Sequence, residues 1–256
     1  MRKFKILWVL LLCLAFLSGC SKDNGTDSSS AEENISITDI ENAEPVQAEV
    51  KPPLITVTTL PESHRINVEK LRQYPNMPTG CEITSLTCLL NYLGFSVTKE
   101  VMADTYLDKV SYSEASNYTF YEKFIGDPYS NGFGCYAPVI LRAATEFLND
   151  QNSSLEAVNI SGSTKEEILL TIASGHPIVI WNSLNAMNVE ETLQWITPEG
   201  KEVYWTGLEH CMLLTGYDLT EDTVYLCDPM RGYAEYNLTQ FFKVYNDMHQ
   251  QAVTIY

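Results

Sequence analysis

Positive charge is scarce in this chain, and no run of basic residues occurs anywhere. Lys and Arg number 16 against 33 Asp and Glu, which gives a formal net charge of -17. Gripping a phosphate backbone takes clustered cations, so the composition argues against a nucleic-acid partner. The seven cysteines contain no C-x-x-C pair. That spacing is the usual mark of a structural zinc site, so no metal is expected, and no cofactor either. No apolar run reaches the ~20 residues that a spanning helix needs. No internal repeat is visible. What remains is an acidic chain long enough for one sizeable domain and an appendage.

The appendage is N-terminal. Arg2, Lys3 and Lys5 precede an apolar run from Ile6 to Leu17, which ends in Leu17-Ser18-Gly19-Cys20. A basic start, a short apolar stretch and small residues at a cleavage point read as a secretory signal. The last four residues resemble a bacterial lipobox, in which Cys20 becomes the first mature residue and carries the lipid. Residues 20–58 are Ser-rich and acidic, with no aromatic side chain. Such a stretch cannot bury enough surface to offset its ordering entropy and is expected to be a flexible spacer. The expected organisation is thus a signal over 1–19, a lipid-anchored spacer over 20–58 and a folded domain over 59–256. The implied location is extracytoplasmic, with the membrane engaged through the lipid.

Five cysteines are left for the domain: Cys81, Cys88, Cys135, Cys211 and Cys227. Their odd number cannot be used up in disulfides, and Cys88, Cys211 and Cys227 lie in apolar runs as small hydrophobes. Thr79 to Gly94 predicts a helix. Ile83, Leu86, Leu89, Leu90 and Leu93 recur at helical spacing, Gly94 stops it, and Thr79 with Glu82 has capping-box form. Further helices are predicted over 138–148, 164–174 and 236–245. Strands are predicted over 177–181, 201–205, 210–216, 223–227 and 252–256. Helices followed by a run of strands indicate an α+β fold.

This reading puts Cys81 in the first turn of a helix, where unpaired N–H groups and the helix dipole favour a thiolate and a depressed pKa. The two strands around residues 218–222 form a hairpin. If its centre lies at 219–220, His210 faces Asp228, Met212 faces Leu226 and Leu214 faces Val224. A thiol, an imidazole and a carboxylate then converge. Cys81 would be the nucleophile, His210 the base and Asp228 its orienter. Gln73, eight positions upstream, and the Cys81 N–H would be the oxyanion donors. Glu209 is a rival carboxylate, but it should lie on the opposite strand face from His210. Taken singly, each residue has an ordinary structural reading: a helix-start thiol, a core histidine, a turn Asp before Pro229. His64, His176 and His249 show no partner at a suggestive spacing. The aromatic loop over 118–134 could line a groove or pack on the core. Trp181, Trp195 and Trp205 read as core or rim residues rather than as ligand stackers.

The stretches Pro78-Thr79-Gly80-Cys81-Glu82-Ile83-Thr84-Ser85-Leu86, Glu209-His210-Cys211-Met212-Leu213-Leu214-Thr215-Gly216-Tyr217 and Asp228-Pro229-Met230-Arg231-Gly232 resemble the peptidase C39-like family of bacterial extracytoplasmic proteins. So do Gly126-Asp127-Pro128-Tyr129-Ser130 and Gly175-His176-Pro177-Ile178-Val179-Ile180-Trp181. The resemblance covers about Leu60 to the C-terminus. It implies a papain-like fold with Cys81, His210 and Asp228 as the catalytic set. Papain-type enzymes hold their oxyanion Gln closer to the cysteine than Gln73 stands here. The family is related to the peptidase domain of bacteriocin exporters, yet no G-x-x-x-x-G-K-[ST] motif follows here, which argues against export-coupled leader removal. The expected substrate is an external or cell-wall peptide, and the expected state a monomer. Two other activities share these residues: acyl transfer to an amine, and non-catalytic binding of a wall or peptide ligand.

Overall fold

The computed structural model describes residues 49–256. The expected signal segment, Cys20 and most of the spacer lie outside the described residues. The elements in chain order are β1 (Ser63–Arg65), α1 (Cys81–Tyr92), α2 (Lys99–Val101), β2 (Lys109–Val110), β3 (Phe124–Gly126), β4 (Gly132–Gly134), α3 (Ala137–Asp150), β5 (Ala157–Asn159), α4 (Lys165–Ala173), β6 (Ile178–Ser183), β7 (Glu191–Ile196), β8 (Glu202–Thr206), β9 (Glu209–Asp218), β10 (Thr223–Asp228), β11 (Gly232–Asn237), α5 (Leu238–Asp247) and β12 (Ala252–Ile255). The architecture is α+β. The main sheet runs β11-β10-β9-β6-β12-β5, with β1 added to β9, and every pairing in it is antiparallel.

β9 is the centre of this sheet. Eight consecutive residues, His210 to Tyr217, are buried, which is why the strand reads as an apolar run instead of an alternating one. Helix α1 packs on it with Ile83, Leu86, Leu89 and Leu90 buried. Each such side chain contributes about 1.5–3 kcal/mol relative to exposure. The aromatic loop resolves toward packing. The Phe120 ring centroid lies 4.4 Å from that of Trp205 and 5.2 Å from that of Trp195. Trp181 is buried, and its indole N–H donates to the Cys135 carbonyl at 2.8 Å.

Three local expectations are corrected. The hairpin turns later than predicted, with Thr223 opposite Asp218, and a register shift after Tyr225 then takes up one extra residue on β9, so that Leu226 pairs with Leu214 and Cys227 with Leu213. Asp228 therefore meets His210 on the diagonal instead of directly opposite. Second, no capping box forms at Thr79. Gly80 is the N-cap without a side-chain bond, the Thr79 hydroxyl donates to the Asp127 carbonyl, and Glu82 turns inward. The capping box is found instead at α4, between Thr164 and Glu167. Third, residues 233–237 are strand. Helix α5 begins at Leu238 because the Asn237 side chain caps it, accepting from the Gln240 N–H.

Residues at the end of the expected spacer lie against the domain. Val50 bridges Asn159, the Lys51 N–H donates to the Asn159 carbonyl, and the Leu54 N–H donates to the Tyr256 hydroxyl. No helix among the described residues is long and apolar enough to cross a membrane.

Candidate active site

His210, Asp228 and Gln73 are linked at the end of β9 that begins with Glu209, and Cys81 lies beside Glu209 at the same end without joining them. His210 and Asp228 are joined directly, with Nε2 2.9 Å from Oδ1, and both are almost wholly buried. Burial alone would raise the Asp228 pKa. The His210 hydrogen bond and charge, the Met230 N–H at 2.7 Å and the Arg231 guanidinium outweigh it and hold the carboxyl below its usual range. An ionised carboxylate only accepts, so His210 Nε2 carries the hydrogen of this bond and Nδ1 is the ring nitrogen left for another partner. The Tyr236 hydroxyl donates to the other Asp228 oxygen at 3.4 Å.

Gln73 is tied into the same corner. Its N–H donates to the carbonyl of Pro229, the residue after Asp228, at 2.8 Å. Buried Lys99 donates to the carbonyls of Arg72 and Gln73 at 2.9 and 2.6 Å and fixes that backbone. One hydrogen of the Gln73 amide goes to the Pro78 carbonyl at 2.8 Å, and its Oε1 is buried without a partner. The second amide hydrogen remains for another acceptor.

Cys81 is the first residue of α1 and is 7% exposed. Its sulfur donates to Glu82 Oε2 at 3.3 Å and lies 4.0 Å from Glu209 Oε2. Among the described residues no hydrogen bond joins it to His210. Alternation along β9 explains the separation: Glu209 and Cys211 face α1, and His210 faces Asn182 and Asp228. The expectation of a depressed thiol pKa is also reversed. Burial pushes the Cys81 thiol well up, and the charges of Glu209 and Glu82 push it further. A helix dipole offers about 0.3–2 kcal/mol, whereas desolvating a charge can move a pKa by ~3–5 units, so burial wins.

Glu82 and Glu209 are the residues that the sequence reading missed or set aside. Glu82 is fully buried on α1, its Oε1 accepting the Cys135 N–H at 2.8 Å. That contact needs a glycine beside it. Gly134 has φ +140°, and a Cβ there would fall on the Glu82 carboxylate. The available signal was an acid next to each candidate, Cys81-Glu82 and Glu209-His210. Among the histidines left without a role, His249 pairs with Glu191 at 2.7 Å, a partner 58 positions away and invisible to spacing.

Comparison with known proteins decides what this arrangement is built on. The profile of the peptidase C39-like family matches residues 65–253. The chain belongs to this family. Uncharacterized protein YvpB of Bacillus subtilis is 32% identical over 185 residues, 71% of this chain and 70% of that protein. The crystal structure of a candidate C39-like peptidase from Bacillus anthracis superposes with a TM-score of 0.67 at 28% identity, covering 75% of this chain and 98% of that one. As a C39-like protein, the chain has the C39-like peptidase fold, with the thiol-bearing helix packed on the antiparallel sheet that carries His210 and Asp228.

Proposed function

We propose that this C39-like protein is a surface-anchored cysteine peptidase using Cys81, His210 and Asp228. The observation that carries the reading is the buried His210–Asp228 hydrogen bond, made at the end of β9 where Cys81 opens α1. That bond leaves Nδ1 as the proton acceptor. In the productive geometry the start of α1 and the end of β9 shift so that the sulfur leaves Glu82, reaches His210 and gives up its proton to the imidazole. It then attacks the peptide carbonyl. The oxyanion is met by the Cys81 N–H and the free amide hydrogen of Gln73. His210 returns the proton to the leaving amine, and water hydrolyses the thioester. An external or cell-wall peptide fits a chain tethered through Cys20.

The full chain, expressed in bacteria with a clickable fatty-acid analogue, is expected to carry the label in wild type and lose it in Cys20→Ala. Recovered protein should cut a mixed peptide library. Cys81→Ala should abolish cleavage, and Gln73→Ala should lower it by about 10²–10³. Equal cleavage by wild type and Cys81→Ala would remove the nucleophile from the scheme.

A further inference from the structure

Two carboxyl groups flank the one sulfur that matters most, and the mechanism above uses neither. Glu82 reaches it from α1 at 3.3 Å and Glu209 from β9 at 4.0 Å. The groups facing this cluster are known from every side. Helix α1 gives Cys81, Glu82 and Ser85, and β9 gives Glu209 and Cys211. The segment before α3 gives Cys135, whose N–H binds Glu82, and β6 gives Trp181, which binds the Cys135 carbonyl. Arg142 of α3 is the cation whose field reaches Cys135. Among the described residues no lysine, arginine or histidine forms an ion pair with Glu82 or Glu209. Glu209 Oε1 is buried with no hydrogen-bond partner at all.

Two carboxyl groups whose oxygens lie within 4.8 Å of each other, Glu82 fully buried and Glu209 half-buried, do not both stay ionised without a cation, so they retain a proton between them. A sulfur beside a carboxyl oxygen has to share a hydrogen with it. The carboxyl is the stronger acid of the two. Burial pushes Glu82 only to about 7, and the Cys81 thiol stands well above its own ordinary value, so the hydrogen stays on sulfur.

We propose that Glu82 and Glu209 form a two-carboxyl clamp on Cys81, holding the nucleophile as a neutral thiol that points away from His210. They are positioning residues, and the inference rests on Cys81 being the nucleophile. Release of the clamp, by a substrate that displaces the Glu82 hydrogen bond, then becomes the step that arms the site. Glu209 acts chiefly through its charge. Glu82 acts through both charge and hydrogen bond.

The test is the pH profile of iodoacetamide alkylation, read at each cysteine by peptide mass spectrometry on the full chain. Wild-type Cys81 is expected to reach half-maximal rate above ~8.5, the value of a free thiol. Glu209→Gln and Glu82→Gln should each move that midpoint down by about one unit, which is roughly tenfold faster labelling at pH 7.5. Cys135 and Cys211, buried in the same cluster, should stay unlabelled and so exclude unfolding as the cause. Profiles of both variants that superimpose on wild type would overturn the clamp, as would a wild-type midpoint below that of a free thiol. Should either variant expose Cys135 or Cys211, the infrared carbonyl band of a protonated carboxyl in wild type at pH 7 decides instead. Its presence supports the shared proton and its absence rejects it. These readouts need no substrate, so they judge the clamp separately from the peptidase reading, which stands or falls on cleavage by Cys81→Ala.

Discussion

Asp228→Ala is expected to lower peptide turnover by about 10³–10⁴ while leaving the fold intact. The Asp228 carboxylate is what holds His210 Nε2 protonated, through a 2.9 Å hydrogen bond in a nearly water-free position. Without it the imidazole is free to take the other tautomer, with its lone pair aimed away from the sulfur, a loss of the size seen when a triad carboxylate is disabled. The Met230 N–H would also lose its acceptor. Asp228→Asn is expected to be milder. An amide oxygen in place of Oδ1 accepts from both His210 and Met230, and its NH₂ can donate to the Tyr236 hydroxyl at the site of Oδ2. The measurement is kcat with a cleavable peptide for both variants, beside thermal unfolding midpoints. Equal loss in the two variants would show that charge, and not tautomer control, is what Asp228 supplies.

Stability should fall as pH rises from 5 to 8, and Glu82→Gln should flatten the slope. Glu82 has a folded-state pKa raised from 4.5 to about 7 by burial, and burial and the Glu82 charge raise Glu209 in the same direction. For an acid raised on folding, the native state binds more protons than the unfolded chain between the two values. Its contribution is therefore most favourable below ~4.5 and is lost as pH climbs through the folded value. Glu82 alone corresponds to a loss on the order of 3 kcal/mol. In a domain of this size that is roughly 6–12 °C in unfolding midpoint. Asp228 has the opposite sign. Its lowered pKa contributes stability that is present above 3.8 and lost as pH falls further, so it leaves the 5–8 window unchanged. Midpoints measured at half-unit steps check this. A curve that is flat or rising from pH 5 to 8 in wild type would mean that Glu82 is ionised throughout at no cost.

The sequence made some parts of this molecule legible and hid others for identifiable reasons. Helix α1 was readable because its leucines keep one period and Gly94 ends it, and β9 because its apolar run continues too long for a turn. The fold class followed from those two elements and the motifs around Cys81 and His210. The His210–Asp228 partnership was readable by parity along the hairpin, yet its register was not, since neither the later turn, with Thr223 opposite Asp218, nor the bulge after Tyr225 leaves a mark in residue type. Glu82 was misread because a Thr three residues before a Glu is the ordinary signature of an N-cap. What overrode it was tertiary: the Cys135 N–H and the space at Gly134 draw that carboxyl inward. The thiol environment was misjudged on the same ground, since helix position is local and burial is not.

The central claim is that Cys81 forms the covalent intermediate, and intact-protein mass spectrometry after rapid acid quench tests it most directly. The full chain is mixed with an activated peptide ester and quenched within the first turnover. The account predicts an added acyl mass mapped to Cys81, absent from Cys81→Ala and cleared on longer incubation as water hydrolyses the thioester. An acyl group on another residue, or cleavage that persists in Cys81→Ala, would contradict it.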